Sequence, residues 1–207
     1  MRPDGPRLSR DDWLDAAHAA VVEGGFENLR VLQIAKALQV TRGSFYWHFS
    51  GQADLQAELL ARWRGQQLAV AAALQNETHA DPQLELELVL DTALAQIGPK
   101  LEHMRFELAL RGLGRRDEAV ARLLTEVDGL RHGLFERKFM RLTADAQTAA
   151  ELASLFYLAV VGCYQALSRP ANPPQLKDYL KSLISTYLIR QQVLPKTKQR
   201  GQKVAKD

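Results

Sequence analysis

The chain is short of the features that usually announce chemistry. It has one cysteine, Cys163, in 207 residues, so no intrachain disulfide can form. A reducing compartment, the cytoplasm, is the expected setting. His79, His103 and His132 are scattered without ligand spacing, so no metal site and no other cofactor are expected. There is no glycine-rich phosphate loop and no Ser/His/Asp or Cys/His arrangement, which leaves an enzyme reading with no residues to name. Long apolar runs are missing as well. The most apolar stretch, 152–167, carries Ser154 and Gln165. It falls short of the ~20 residues of a membrane span. No apolar run follows a basic start, so neither a membrane anchor nor a signal peptide is expected. No alternating strand pattern and no internal repeat is found.

Positive charge is scarce where a first glance would look for it. The net charge of +3 invites a nucleic-acid reading. Residues 1–64, however, hold eight Lys/Arg and eight Asp/Glu and sum to zero, while residues 193–207 carry five Lys/Arg against Asp207. The excess sits in the C-terminal tail, so overall charge does not argue for DNA binding. Hydrophobic residues at 46% and charged residues at 25% are ordinary values for a globular chain, long enough for one large domain or two smaller ones.

What the chain does have is helical periodicity from end to end. Ser9 with Asp12 approximates a capping box, and Gly24-Gly25 stops the first helix. Ile34, Ala35 and Leu38 are spaced for the buried face of a second, short helix beginning near Val31. Gln39 and Val40 then make a tight turn, and the Thr41 hydroxyl is placed to cap a third helix. There Phe45 and Phe49 lie four apart and face inward. At about 100° per residue, Gly43 and Trp47 point away from the core, flanked by Ser44 and Tyr46. Tyr46 and Trp47 as core aromatics is the alternative, disfavoured because the two phenylalanines already claim the inward face. The arrangement reads as a helix-turn-helix whose second helix enters the major groove of DNA.

From Leu8 to about Trp63 the chain resembles the DNA-binding region of the TetR family of bacterial transcriptional regulators. The matching pieces are Gly25-Phe26, Ile34-Ala35, Val40-Thr41, the run Ser44-Phe45-Tyr46-Trp47-His48-Phe49, and Asp54-Leu55. The candidate DNA-binding residues are Thr41, Arg42, Gly43, Ser44, Tyr46, Trp47 and His48. Thr41 and the helix N-terminus would face a phosphate, and Arg42 suits either a guanine edge or a phosphate. Gly43 allows close approach of the backbone, and Ser44 can bond bases or backbone. Tyr46 and His48 would contact phosphates, and Trp47 a sugar or thymine methyl. Three positions depart from the family pattern. Arg30 stands for its usual Ser or Thr, Gln39 for a frequent turn glycine, and Gln52 for a phosphate-clamping lysine, which predicts a shallower salt dependence. At Gln39 the departure implies either a turn with no strict need for positive φ or a mildly strained one.

Beyond this region the expected helices run from about 55 to 75, from Pro82 to Ile97-Gly98-Pro99, onward to Leu110, from Asp117 to Arg141, from a Thr143 cap to Leu167, and from Gln175 to Gln192. Ser50 is the expected cap of the helix at 55, and Gly112-Leu113-Gly114 an expected break. The fold class is therefore all-α, with about nine helices. Residues 1–52 form a three-helix helix-turn-helix domain, 53–192 a helical ligand-binding and dimerisation domain, and 193–207 a basic tail expected to be disordered. The helix at 152–167 is apolar nearly all round, and the final helix carries a broad apolar stripe. Both suit a twofold homodimer formed through these last two helices. The resemblance also implies a small-molecule pocket in the second domain. Its candidate lining is Trp63, His103, Phe106, Glu107, Phe135, Tyr157 and Tyr164. For each the simpler reading is core packing, with Glu107 and Arg111 a surface ion pair.

The expected function is a DNA-binding regulator, a repressor released from a double-stranded operator by a small-molecule effector. The alternative is an all-helical ligand carrier or protein-interaction module that keeps the fold without reading DNA.

Overall fold

The computed structural model describes residues 8–95, 101–143 and 145–165, together with 178, 179, 182, 183 and 186. Among these residues there are eight α-helices, one 3-10 turn and no strand. The all-helical class is as expected. The total of about nine helices is not matched among the described residues, and the last expected helix, 175–192, lies largely outside them.

Helix α1 (Arg10–Gly24) opens with a complete capping box: the Asp12 amide donates to Ser9 Oγ, and the Ser9 amide donates to the Asp12 carboxylate at 2.7 Å. The Ser9 amide, together with the Ser9 hydroxyl that also donates to this carboxylate, holds the Asp12 carboxyl below its usual range. Gly25, at φ 78°, ends the helix in a conformation that favours glycine. A 3-10 turn (Phe26–Asn28) leads to α2 (Val31–Ala37), and Arg30 at its N-cap supplies no side-chain cap. The helix closes in a Schellman motif, with Val40 N–H donating to Ala35 C=O and Gln39 N–H to Lys36 C=O. Its left-handed residue is Gln39, at φ 57°. The turn is thus the strained alternative of the two.

Helix α3 (Arg42–Phe45) is a single turn, shorter than the pattern from Thr41 to Phe49 suggested. Thr41 is its N-cap residue, but its hydroxyl makes no cap bond. The Ser44 amide and hydroxyl both donate to the Thr41 carbonyl, so the N–H that the hydroxyl would have accepted is already used. Further bonds from His48 and Phe49 amides to the Phe45 carbonyl continue the winding, which sends both phenylalanines into the core.

Helix α4 (Gln52–Asn76) is capped by Gly51 rather than Ser50. The Ser50 amide and hydroxyl both donate to Asp54, so that hydroxyl acts as donor and not as cap. Helix α5 (Pro82–Ala95) is followed by α6 (Leu101–Gly114), which runs through Gly112 and stops at Gly114, the last residue of the expected break. Helix α7 (Glu118–Thr143) is capped by Asp117, which accepts from the amides of Ala119 and Val120. Thr143 closes this helix, its hydroxyl donating back to Phe139. Asp145 caps α8 (Ala146–Gln165) by accepting from the Thr148 amide and hydroxyl.

Two hydrophobic clusters hold these helices. The first gathers Trp13, Ala17, Phe26, Leu29, Ile34, Phe45 and Phe49, and continues past residue 52 through Leu55, Leu59 and Trp63 to Phe106, Leu110, Val120 and Val127. Trp13 meets Phe45 edge-on at 5.3 Å, and Phe45 stacks on Phe49 at 5.3 Å. The second gathers Leu74, Met104, Leu134, Phe135, Phe139, Leu152, Phe156 and Val160 between α4, α6, α7 and α8. Beside it Glu85, only 2% exposed, is bound by Lys138 at 2.8 Å, by Arg141 and by the His79 amide, which fastens α5 to α7. Burial pushes the Glu85 carboxyl up, but these donors outweigh it and hold the group down at about 2.

Helix α8 differs from expectation within the chain. Among its described residues it is buried along Ala149, Leu152, Ala153, Phe156 and Val160, and its opposite side leaves Leu155 and Leu158 exposed. No helix among the described residues is long and apolar enough to cross a membrane.

Candidate nucleic-acid interface and internal cavities

The residues from Thr41 to Phe49 split into two sets, and the split follows from the winding of the chain. Phe45 and Phe49 are buried in the first cluster, while Thr41, Arg42, Gly43, Tyr46 and Trp47 are exposed. Trp47 is 84% exposed and Tyr46 51%. An indole so placed gains nothing from its own domain. A Cβ added at Gly43 would meet only Thr41 Oγ1 at 3.6 Å, an ordinary contact, so the fold itself does not require glycine at this position. Arg42 donates to the Tyr46 hydroxyl at 2.9 Å, which groups cation and phenol into one polar edge.

Two members of the predicted set are less free. Ser44 is half-buried and its hydroxyl donates to the Thr41 carbonyl at 2.9 Å. His48 is half-buried and its ring lies 6.5 Å from that of Trp13. The expected dipole at the N-terminus of a long recognition helix is also reduced, since α3 has only four residues.

Arg10, which no local pattern singles out, orients this segment. Its guanidinium donates to the His48 carbonyl at 2.6 Å, lies 4.4 Å from the centre of the Phe49 ring, and pairs with Glu58 on α4 at 3.1 Å. One side chain thereby ties α1, the end of the reading segment and α4 together. Nothing in its spacing signals this, because the contact spans 38 residues.

The second region contains an internal cavity of about 290 Å³ bounded by α4, α5, α6, α7 and α8. Of the seven residues proposed to line a pocket, Trp63, His103, Phe106, Glu107, Phe135 and Tyr157 all do so. The Tyr164 side chain lies outside the described residues. Leu74, Met104, Leu134 and Val160 complete much of its apolar wall.

Glu107 is not half of a surface ion pair. It is 5% exposed and accepts from Arg111 at 2.8 Å and from both terminal nitrogens of Arg131 at 2.9 Å. Arg111 also forks onto Asp128 at 2.8 and 3.0 Å, and Arg131 reaches Gln67 at 2.7 Å. Burial pushes the Glu107 carboxyl up, but the two guanidiniums prevail and hold it below its usual range. Burial and the bond to Asp128 push the Tyr157 phenol well above its ordinary value, so it stays protonated. The i,i+4 spacing signalled only Arg111. Arg131 and Asp128 are brought in by the packing of α7 on α6.

A second cavity, about 540 Å³, opens where α1 meets α4 and α6. It shares His18, Trp63, His103 and Phe106 with the first. His18 is not a plain surface residue: its ring stacks on Phe106 at 4.7 Å, and burial lowers its pKa. A side chain of the first helix thus forms part of the wall of the inner cavity.

Among the described residues the chain combines an all-helical fold, an exposed helix-turn-helix edge and a polar-lined cavity. Residues 14–59 match the family described as bacterial regulatory proteins, tetR family. The match covers the helix-turn-helix region alone, where the chain is similar to that family. It is 32% identical over 104 residues to the HTH-type transcriptional regulator TtgR of Pseudomonas putida, a match covering 46% of this chain and 50% of that one. The chain therefore spans about half the length of that relative. In fold it is similar to a transcriptional regulator from Rhodococcus sp. Rha1, with a TM-score of 0.71 at 20% identity over 91% of this chain and 100% of that one. It is also similar to a regulator from Saccharomonospora viridis solved with choline, with a TM-score of 0.66 at 18% identity over 85% and 95% of the two chains.

Proposed function

We propose that the protein is a DNA-binding transcriptional regulator, a repressor that leaves its operator when a small molecule occupies the inner cavity. The observation that carries this reading is the exposure of Trp47 and Tyr46 beside buried Phe45 and Phe49. Thr41, Arg42, Gly43, Ser44, Tyr46, Trp47 and His48 are the DNA-contacting set, with His48 and Ser44 in minor roles. Residues 1–52 form the reading unit and 53–192 the effector- and partner-binding unit.

Two copies are needed to read a palindrome, because a single one-turn α3 covers only a half-site. The exposed Leu155 and Leu158 of α8 favour a twofold contact there, continued by the final helix. Communication between the units runs through the stack of His18 on Phe106, since a ligand pressing on that ring also presses on α1. A coupling of about 1–3 kcal/mol between two such sites changes occupancy 5- to 150-fold. The choline bound to the Saccharomonospora viridis regulator favours a small-molecule role for a cavity in this fold.

Electrophoretic mobility shift with the DNA upstream of the protein's own coding sequence tests the reading. Wild type is expected to bind and to weaken as salt rises. Tyr46→Ala is expected to lose that binding while keeping the wild-type denaturation midpoint. Early melting of Tyr46→Ala would show the residue to be core and remove the basis for the interface. The carrier or interaction-module reading draws on the zero net charge of residues 1–64 and on Gln52 in place of lysine. It predicts no shift with any upstream DNA.

A further inference from the structure

The segment that carries Tyr46 and Trp47 is weakly held by its own backbone. Beyond Phe45 the amides of Tyr46, Trp47 and His48 bond three residues back, at 3.3, 3.3 and 2.9 Å. That winding is tighter than an α-helix and its hydrogen bonds are poorer. The Tyr46 and Trp47 side chains are exposed, so packing fixes the segment chiefly at Phe45 and Phe49. A further hold comes at the end of the turn, where Arg10 takes the carbonyl of His48.

The Arg10 guanidinium is engaged on three sides by protein groups. Nη1 donates to the His48 carbonyl at 2.6 Å, and the central carbon lies 4.4 Å from the centre of the Phe49 ring. Nη2 pairs with Glu58 at 3.1 Å, beside Asp54 at 3.9 Å. Asp54 in turn accepts from the Ser50 amide at 2.8 Å, so the chain leaving the segment is tied to the same carboxylates. A phosphate approaching Arg10 would face both carboxylates and would have to displace Glu58. The geometry therefore favours an internal tie over a contact with DNA. A planar fork serves all three partners at once, whereas the ammonium of lysine is a point charge with no flat face.

We infer that Arg10 is a positioning residue that sets how well the reading segment tells its operator from other sequences, without itself touching DNA. It holds the backbone at His48 and thereby the angle at which Tyr46 and Trp47 meet the duplex. The inference rests on the DNA-binding reading above. A displaced segment loses contacts that depend on geometry, while the attraction of cations to phosphates on random sequence tolerates displacement.

Fluorescence anisotropy of the full-length protein tests this with two duplexes across a salt series: the upstream DNA and a scrambled version of the same length and composition. Arg10→Gln is expected to bind the upstream duplex at least about tenfold more weakly, and the scrambled one within about threefold of wild type. The dependence of affinity on salt should stay as in wild type. Equal losses on both duplexes, with a salt slope reduced by about 1, would make Arg10 a phosphate contact and overturn the inference. Arg10→Lys keeps the charge and should not restore discrimination; full restoration counts against the tie. Glu58→Gln separates the two roles in the opposite sense. A tie that loses its anchor narrows the ratio of the two affinities, whereas a phosphate contact relieved of its carboxylate strengthens binding to both duplexes at an unchanged ratio. Should Arg10→Gln fail to fold by circular dichroism, Glu58→Gln decides.

Hydrogen exchange without DNA separates this role from the regulator reading. The amides of residues 48–50 should exchange at least about tenfold faster in Arg10→Gln, with those in the middle of α1 unchanged. Wild type that shows no preference for the upstream DNA removes the regulator reading and this role with it. Unchanged exchange beside a selective wild type removes only the role of Arg10.

Discussion

Around Trp13 ring meets ring, and around Glu107 charge meets charge. The N-terminal cluster packs Trp13, Phe45 and Phe49 with no buried acid or base among its described members. The region between α5, α6 and α7 instead buries Glu85, Glu107 and Lys138. Ring packing holds the first region, with Arg10 tying α1 to α4 at its edge. The second region, which surrounds the inner cavity, keeps its helices in register with directional bonds. Burying ion pairs is seldom a net gain in stability, but it makes alternative packings expensive.

Removing a ring should break the first region most severely. Phe45→Ala is expected to lose about 4 kcal/mol, within the range for a large aromatic truncated in a core. Trp47→Ala, two residues on, should stay within about 0.5 kcal/mol of wild type. Chemical denaturation of both variants checks the pair, and comparable losses would contradict the split between buried and exposed aromatics. In the second region Glu107→Ala takes the shared carboxylate from Arg111 and Arg131, leaving Arg111 on Asp128 and Arg131 on Gln67, and should lose about 3 kcal/mol in the same measurement. A loss no larger than that of an exposed site would mean that the pair is solvated.

The contrast sharpens with acid. Glu85 is held at about 2 in the fold against an ordinary value of 4.5. Its contribution is complete above the ordinary value and is lost as pH falls from there toward about 2. Denaturation midpoints of wild type should therefore drop across this window, while those of Glu85→Gln, lower at the outset, should drop less. Parallel curves would show that the carboxylate is not preferentially ionised in the folded state. The smallest effect belongs to the turn between α2 and α3. Gln39→Gly relieves a left-handed backbone and should raise stability by about 0.5–1 kcal/mol, the relief being partly offset by the greater freedom of glycine in the unfolded chain.

Much of this architecture was legible in the sequence because it depends on local period. Phe45 and Phe49, four apart, predicted their own burial and the exposure of Trp47, and both are seen. Six of the seven proposed cavity residues line one cavity, since apolar and aromatic residues at helical spacing converge when helices pack. Capping was less legible. Thr41, Ser50 and Thr143 each look like caps, yet each hydroxyl sits where a competing bond decides its role: the Thr41 carbonyl takes the Ser44 amide, Asp54 draws in Ser50, and Thr143 donates back to Phe139. Gly112 did not break its helix because the roughly 1 kcal/mol penalty of one glycine is small beside the packing of α6. Least legible were Arg10 and Arg131. Their partners lie 38 and 24 residues away, and only the tertiary fold brings them together.

Arg10 also bears on how the proposed interface would meet DNA. It is occupied by the His48 carbonyl, the Phe49 ring and Glu58, and Arg62 is likewise occupied by Asp15. On the reading proposed above, Arg10 is thereby withdrawn from the described cations that could grip an arbitrary duplex. A regulator built as proposed would hold random sequence only briefly and search by frequent release rather than long sliding.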